Sequence, residues 1–406
     1  MSRLAKKIVI SLSVLVFAYV GIGYVMGKTA NDKTYRSLTV FSEVLDHIAH
    51  DYVEEPNLHQ VSVGAMHGLL DSLDPQSSYL SPLEYADYKK KVEDKGKDAI
   101  GAALSKRFGY IVVISVLPDS PAEKAGLRSG DILESIAGFT THDMAIGQAQ
   151  ILLSGNPDTS VRVSVIRRGH SEPQELDIVH NKMALPKLVE DRLEGDIAYL
   201  RVPAFDAGTA NQIREKLVQF QKQGAHKLIL DLRGCALGQI PEAVSTAQLF
   251  LNSGTITTLR GQTVPALTFS GDASKVVWKE PMTVLISQST AGPAEILAAA
   301  IAGNRRGDAV GDRTFGTASE QRVIPLDDGA ALILTVANYF TPDGKSIPSE
   351  GVSPTVEVRP SSDDSAALQD QDESGFPPGK APSQDDPVMR KAIEILQSAA
   401  SQKRAA

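Results

Sequence analysis

The chain lacks the residue patterns that form disulfides, metal sites and phosphate-binding loops. It contains one cysteine, Cys235, which excludes an internal disulfide and fits either a cytosolic protein or a bacterial envelope protein without disulfides. Its eight histidines show neither the H-x-x-x-H nor the H-E-x-x-H spacing of a metal site, and no glycine-rich phosphate loop is present. We therefore expect no metal and no other cofactor.

Basic residues are also fewer than acidic residues. The 41 lysines and arginines are outnumbered by 49 aspartates and glutamates, and the formal net charge of -8 argues against a nucleic-acid partner. With 42% apolar and 22% charged residues, the composition is otherwise that of an ordinary soluble protein. A chain of 406 residues is long enough for two or three domains.

One long uncharged run, Ile8–Gly27, lies near the N-terminus and follows Arg3, Lys6 and Lys7. About twenty helical residues at ~1.5 Å rise span ~30 Å, the thickness of a bilayer core. The preceding basic residues predict that the N-terminus is cytoplasmic. We expect a single-pass bacterial inner-membrane anchor, with the ectodomain in the periplasm or cell exterior. A cleaved signal peptide and a buried core helix are the alternatives.

Apolar residues spaced three and four apart predict a helical segment over residues 35–97. A first amphipathic helix begins at Tyr35, and a second runs over Val61–Leu73. Ser81–Glu84 reads S-P-L-E, a capping box with proline at the first helical position, so a third helix starts there.

From about residue 98 the period of the apolar residues changes to two. A strand is predicted over Ile111–Val116, and Ala125–Leu133 reads A-G-L-R-S-G-D-I-L. This string resembles PDZ domains. Residues 98–182 are therefore identified as a PDZ domain, with its second helix at Ala145–Leu153 and a closing strand at Val161–Arg167.

The PDZ resemblance implies a peptide-binding loop. PDZ domains bind an extended C-terminal peptide by adding it as a strand, and loop N–H groups hold its carboxylate. The matching loop has small or apolar residues that would leave the backbone N–H groups accessible: Ile100, Gly101, Ala102, Ala103 and Leu104. The alternative is a PDZ module that only packs against its neighbour.

Residues 183–360 alternate between strands and helices. A strand pair ends with Ile197–Val202, a helix is predicted over Asn211–Gln223, and an apolar strand over Leu228–Leu232. This alternation predicts a mixed or largely parallel sheet. The fold class is therefore α/β, within a multi-domain α+β chain.

A strand, a turn and a helix follow one another further along this region. The predicted strand is Val284–Ile286 and the helix begins at about Pro293; we call residues 290–294 between them the elbow. A turn at a helix N-terminus presents backbone N–H groups and a dipole that can stabilise an oxyanion. This is the geometry of a serine hydrolase, but no serine stands where the nucleophile is expected.

Two motifs resemble those of the carboxy-terminal processing (tail-specific) peptidases. The family motif G-S-A-S-A-S-E-I ends in the nucleophilic serine before E-I, whereas Ser289–Ile296 reads S-T-A-G-P-A-E-I, with Ala294 at that position. The family motif F-G-K-G-x-x-Q supplies a lysine base and the glutamine that orients it. Phe315–Gln321 has Thr317 at the base position and retains Gln321. Alanine cannot attack a carbonyl, and threonine cannot act as a base near neutral pH.

The oxyanion loop differs from the family pattern as well. Asp231–Arg233 matches the family's D-L-R, which is normally followed by N-x-P-G-G, but Gly234–Gly238 reads G-C-A-L-G. The resemblance places Leu237 and Gly238 at the glycine pair that turns an N–H toward the oxyanion, so one glycine remains. The resemblance covers about residues 36–360.

Other side chains could in principle replace the missing nucleophile. Ser289 lies five positions before Ala294, Ser287 ends the strand, and Ser319 lies two residues after the missing lysine. Cys235 is expected to be a buried, inert thiol. The nearest lysine in the sequence, Lys279, precedes the strand.

The two ends of the chain complete the predicted organisation. Residues 1–34 would form a cytoplasmic tip, the anchor and a link, and residues 35–97 the helical segment of the peptidase-like core. Residues 361–386 are rich in Ser, Asp, Gln, Gly and Pro and are expected to be a disordered linker. Residues 387–406 would form a helix that either docks on the body or serves as an assembly contact.

These features predict a membrane-anchored, inactive homologue of a carboxy-terminal processing serine peptidase. It would bind polypeptide C-termini or regulate an active peptidase in the cell envelope, because recognition and acyl chemistry use different atoms. The alternatives are an active serine-type endopeptidase with a non-standard nucleophile and a non-binding structural scaffold. Homo- or hetero-oligomerisation is left open.

Overall fold

The computed structural model describes residues 36–90, 100–170, 172–181, 183, 186–194, 196–348, 350–358 and 386–405, with side chains up to residue 398. It divides into two compact units, residues up to Met66 and residues from His67 onward. The predicted anchor Ile8–Gly27 lies outside the described residues, as does the predicted linker except for Asp386. Within the described ranges, no helix is both long and apolar enough to cross a bilayer.

The described part of the predicted helical segment, residues 36–90, is mainly helical. Helix α1 covers residues 36–51, and α2 covers Leu58–Asp71; a short strand β1, Ser78–Leu80, precedes α3, Pro82–Tyr88. The capping box is confirmed, because the backbone N–H of Ser81 donates to Glu84 Oε2 at 2.8 Å and Ser81 Oγ accepts from the Glu84 N–H. The reciprocal bonds satisfy donors that the first helical turn leaves without partners.

The PDZ region is an antiparallel sheet with two short helices. Its strands lie in the order β2-β3-β4-β6-β7, with β5 paired to β4. In chain order the elements are β2 Ala102–Arg107, β3 Tyr110–Val116, α4 Pro121–Lys124, β4 Ile132–Ile136, β5 Phe139–Thr140, α5 Ile146–Leu153, β6 Ser160–Ile166 and β7 Gln174–Val179.

The prediction that Val161–Arg167 closes this sheet was wrong. Strand β7 follows β6 and pairs with it along its whole length, from Ser160 opposite Val179 to Val165 opposite Gln174. Strand β7 reads Q-E-L-D-I-V, so only Leu176 and Ile178 alternate with charged residues, and so short an apolar pattern gives a weak strand signal. Only Ile178 of this strand is fully buried.

The α/β core contains a six-stranded sheet in the order β19-β16-β15-β11-β9-β8. All neighbours are parallel except β8 and β9, which confirms the predicted mixed sheet. A second sheet, β1-β18-β13-β14 with β17 on β18, packs beside it. The elements are β8 Val189–Leu193, β9 Ile197–Arg201, β10 Ala204–Phe205, α6 Thr209–Lys222, β11 Lys227–Asp231, β12 Leu237–Gly238, α7 Ile240–Gln248, β13 Thr255–Arg260, β14 Leu267–Ser270, β15 Met282–Ile286, α8 Pro293–Gly303, β16 Asp308–Gly311, β17 Ser319–Pro325, β18 Ala331–Phe340, β19 Val356–Glu357 and α9 Pro387–Ala405.

Successive residues of the central strands point to opposite faces of the sheet. Leu228 and Leu230 of β11 lie in the core cluster that includes residues of α6, α7 and α8. Ile229, between them, lies in a second cluster with Met389 and Leu396 of α9. The C-terminal helix therefore docks on the body, which was one of its two predicted roles.

A salt bridge fixes the start of this C-terminal helix. Arg233 Nη1 lies 2.6 Å from Asp386 Oδ2, and Asp386 Oδ1 accepts the N–H of Val388 at 2.9 Å, as expected for a capping residue. Arg233 is also held by Asp231 Oδ2 at 2.8 Å, which accepts from the Tyr199 hydroxyl at 2.9 Å. Burial acts to raise the pKa of Asp231, but the Arg233 charge and hydrogen bonds outweigh it and lower that pKa.

We predict that Met389→Ala loosens helix α9. Met389 is fully buried against the sheet, and removal of such a side chain costs about 2–5 kcal/mol. Hydrogen–deuterium exchange of amides in α9 should accelerate by the corresponding factor. Arg390→Ala, at the exposed neighbouring position, is the control and should leave exchange nearly unchanged. Equal exchange in the two variants would contradict docking of the helix in solution.

Candidate functional site

The elbow lies at the carboxyl edge of the central sheet, between β15 and α8. At its first residue, Thr290 Oγ1 accepts the Ser287 N–H at 3.1 Å and donates to the Leu232 carbonyl at 2.9 Å. The Ala291 N–H donates to the carbonyl of Cys235 at 3.0 Å. These bonds join the elbow to the loop after the neighbouring strand β11, so the predicted nucleophile and oxyanion segments lie side by side.

Gly292 makes the turn into α8. Its φ of 54° and ψ of -117° lie in a region that favours glycine. Its N–H donates both to Glu295 Oε2 at 2.9 Å and to Thr317 Oγ1 at 3.1 Å. Ala294 follows in the first helical turn and is fully buried. The predicted base position, Thr317, therefore contacts the turn that leads to the predicted nucleophile position, Ala294.

The buried carboxylate of Glu295 connects the elbow with the loop of residues 314–319. Its Oε1 accepts from the Thr314 hydroxyl at 2.5 Å and from the Gly316 N–H at 2.7 Å. Its Oε2 accepts from the N–H groups of Gly292 and Thr317, both at 2.9 Å. Burial raises the pKa of Glu295 above its ordinary value, while these four donors act to lower it. Glu295 is not among the site residues predicted from the sequence, although its third position in α8, after Pro293, is a capping-box signal.

Gln321 is not placed to orient a group at position 317. Its side chain is exposed, and its Nε2 donates to Ser319 Oγ at 2.7 Å. Ser319 Oγ in turn donates to the Thr317 carbonyl at 3.2 Å rather than to its side chain. The structure thus brings Ala294 and Thr317 together and leaves Gln321 outside.

The predicted oxyanion positions, Leu237 and Gly238, form strand β12. They pair in parallel with Ala204 and Phe205 of β10. Gly238 has a φ of 118°, and a Cβ added there would lie 2.4 Å from the Phe205 carbonyl oxygen, so only glycine allows the close approach of these strands. Leu237 packs, with Ala291, in a small apolar cluster beside the elbow.

Three of the four alternative nucleophiles are buried side chains. Cys235 is fully buried, and burial raises the pKa of its thiol above the ordinary value. Ser287 and Ser289 are buried, and Ser287 Oγ accepts the Ser289 N–H at 3.2 Å. Lys279 is exposed and precedes β15, whereas the elbow follows it; a five-residue strand separates them by roughly 16 Å.

One face of the PDZ sheet covers the elbow. Ala103 of β2 and Ile114 of β3 form an apolar cluster with Ala291, and Phe315 of the 314–319 loop packs against it. The Arg107 guanidinium at the end of β2 lies 4.0 Å from the centre of the Phe315 ring. The PDZ region and the peptidase-like core therefore meet at the candidate site.

Strand β2 forms the edge of the PDZ sheet and contains three of the five predicted loop residues. The strand begins at Ala102, so that only Ile100 and Gly101 precede it as a loop. Their carbonyls accept from the N–H groups of Ala122 and Leu117, and Gly101 has a φ of 82°. Among the described residues, no strand pairs with the edge of β2 that faces away from β3.

Comparison with known proteins places these features in a family. Residues 196–358 match the profile of peptidase family S41, and residues 112–167 match that of a PDZ domain. A carboxy-terminal-processing protease from Bartonella bacilliformis is 32% identical over 333 residues, which cover 80% of this chain and 76% of that protein. The chain belongs to peptidase family S41.

Further relatives of this S41 chain carry similar names. The carboxy-terminal processing protease CtpA of Bacillus subtilis is 26% identical over 354 residues, covering 85% of this chain and 74% of that protein. A solved photosystem II D1 C-terminal processing protease has a TM-score of 0.66 and 25% identity, and the match covers 80% of this chain and 93% of that one.

We predict that Glu295→Gln destabilises this S41 protein by at least about 2 kcal/mol. An amide group cannot accept hydrogen bonds at its nitrogen, so two of the four buried donors lose their acceptor. Urea unfolding followed by fluorescence of the single, fully buried Trp278 measures the change. The exposed control Gln321→Ala should stay within about 0.5 kcal/mol. Equal losses would show that Glu295 does not hold the loop.

Proposed function

We propose that this S41 protein is catalytically inactive and binds polypeptide C-termini through its PDZ domain. The observation that supports inactivity is the pair of side chains at the predicted nucleophile and base positions. Ala294 places a buried methyl group at the nucleophile position, and the Thr317 hydroxyl at the base position accepts the Gly292 N–H. A methyl group cannot form an acyl-enzyme, and a hydroxyl cannot remove a proton near neutral pH.

The edge of β2 supports the binding half of the proposal. An extended peptide adds to a free strand edge through main-chain hydrogen bonds, and a preceding loop holds its carboxylate. Ala102 and Leu104 pack into the same apolar cluster as Ile146 and Leu153 of α5, so the edge lies beside a helix, as peptide capture requires. At the far end of β2, Lys106 forms a 2.7 Å salt bridge with Asp71. We therefore expect the peptide terminus to bind over Ala102–Leu104.

We further propose that the protein works in the bacterial envelope. The uncharged run Ile8–Gly27 after three basic residues supports an inner-membrane anchor with the ectodomain outside the cytoplasm. There the protein would hold C-termini without cleaving them, either to shield them or to regulate an active relative that cleaves the same termini.

Peptide titration tests the binding half. A fluorescein-labelled peptide with an apolar, uncharged sequence and a free C-terminus should bind saturably in fluorescence polarisation. Its C-terminal amide should bind at least tenfold more weakly, about 1.4 kcal/mol, because the carboxylate is lost. Saturable binding of both forms with equal affinity would contradict carboxylate capture, and binding of neither form would favour the structural scaffold.

A pair of glycine variants localises the binding. A Cβ in Gly101→Ala would lie 2.3 Å from Ser120 Cβ, so the loop must shift and the affinity for the free acid should fall at least tenfold. Gly138→Ala is the matched control, because Gly138 has the same φ of 82° but no atom within 4 Å of an added Cβ. Both variants carry the same backbone strain, so only the Gly101 variant should lose affinity.

A cleavage assay tests the inactive half. Purified protein incubated with casein and with C-terminally tagged substrates should release no fragments. Cleavage that disappears on Ser289→Ala, Ser319→Ala or Cys235→Ala would overturn the proposal in favour of an endopeptidase with a non-standard nucleophile. Cleavage that persists in all three variants and varies between preparations would indicate a contaminating protease, which leaves inactivity as the result.

A further inference from the structure

A cavity of about 640 Å³ lies beside the candidate site. Its walls come from six parts of the chain: the 314–319 loop, the end of β13 with the two residues after it, the second half of β18, the end of β2, the segment of residues 73–76, and Pro348. Thr317 and Ser319 lie on its wall, so the cavity borders the degenerate base position. Its volume is within the range of cavities that hold ligands of several residues or of drug size.

Two arginines line this cavity, and both lie on aromatic rings. The Arg107 guanidinium is 4.0 Å from the centre of the Phe315 ring, and its Nη2 donates to the Phe315 carbonyl at 3.4 Å. The Arg260 guanidinium is 3.8 Å from the centre of the Phe340 ring. Stacking of this kind holds the planar guanidinium in one orientation and leaves its edge N–H groups available.

Neither arginine has a carboxylate partner within the described ranges of the chain. Asp74 is the one acidic residue on the described wall. Its carboxylate accepts from the Gln76 and Ser77 N–H groups, the Ser77 hydroxyl and the Thr335 hydroxyl. Three of these donors belong to its own loop and the fourth, Thr335, to β18, and none of them carries a charge.

The charge of the lining is therefore positive, in a chain whose formal net charge is -8. The third cation on the wall, Lys106, is neutralised by Asp71 at 2.7 Å. Arg107 and Arg260 are left with two positive charges, against the single negative charge of Asp74 on the described wall. A guanidinium edge matches a carboxylate through two parallel hydrogen bonds, so the chemistry of the lining selects carboxylate groups.

We propose that this cavity is a binding site for carboxylate groups of a polypeptide, with Arg107 and Arg260 as the recognising residues. The carboxylates would come from aspartate and glutamate side chains in an extended segment. The site is separate from the PDZ loop and requires neither capture at that loop nor loss of catalysis. It would give the protein a preference for acidic sequences.

Capped peptides test the site independently of the PDZ loop. A labelled, N-acetylated and C-amidated peptide rich in Glu and Asp should bind saturably, and its Gln and Asn counterpart at least tenfold more weakly. Binding should weaken as the salt concentration rises, because exposed charges are screened. Equal affinity of the two peptides would overturn the proposal without bearing on C-terminal capture.

Charge-matched variants assign the binding to the cavity. Arg107→Gln with Arg260→Gln should lower the affinity for the capped acidic peptide at least tenfold. Arg313→Gln with Arg322→Gln removes the same charge from exposed positions that do not line the cavity, and should change the affinity less than twofold. All four positions are exposed, so we expect each variant to fold. Equal losses in the two double variants would show a non-specific charge effect and overturn the proposal.

Two further binding measurements distinguish side-chain carboxylates from a C-terminal carboxylate. Gly101→Ala should leave binding of the capped acidic peptide unchanged; a loss there would assign the peptide to the PDZ loop and overturn the cavity site. A neutral peptide with a free C-terminus should be insensitive to the Arg107 and Arg260 substitutions. Binding of this neutral peptide could instead be lost in the Arg107 and Arg260 double variant and kept in Gly101→Ala. The cavity would then bind a terminal carboxylate, and carboxylate recognition by the two arginines would still hold.

Discussion

The carboxylate of Glu295 joins the two loops on which the candidate site depends. It accepts hydrogen bonds from Gly292 of the elbow and from Thr314, Gly316 and Thr317 of the facing loop. Three of these four donors are backbone N–H groups, including that of Thr317. A change of side chain at position 317 therefore leaves the connection intact, and a change at position 294 does not touch it.

This independence explains how an S41 framework can accommodate Ala294 and Thr317 at these two positions. The methyl group of Ala294 is buried in an apolar cluster, where it needs no hydrogen-bond partner. The Thr317 hydroxyl accepts the Gly292 N–H, so it is also satisfied. Neither residue therefore leaves an unpaired buried group. Recognition at a strand edge and acyl transfer at an elbow draw on separate atoms.

Much of the fold could be predicted because its signals are local. The Ser81 capping box, the apolar strand at Leu228 and the A-G-L-R-S-G-D string each specify structure through neighbouring residues. The predictions that failed or were missing depend on residues far apart in sequence. Strand β7 is held by its pairing to β6 rather than by its own apolar pattern. Gly238 is required by its approach to Phe205, and Arg107 is oriented by Phe315, 208 residues away. Contacts between residues so far apart cannot be predicted from a local sequence pattern.

Strand β2 shows how the two parts of the molecule are coupled. Side chains alternate along a strand, so Ala103 faces the elbow while Leu104 faces the PDZ core. No strand of the described residues pairs with the outer edge of β2, and the end of β2 places Arg107 on Phe315 beside the cavity. A peptide that adds to this edge forms hydrogen bonds with a strand whose opposite contacts already touch Ala291 and Phe315. Any shift of β2 on binding must therefore reach the elbow and the cavity wall, because close-packed apolar contacts transmit displacement rather than absorb it.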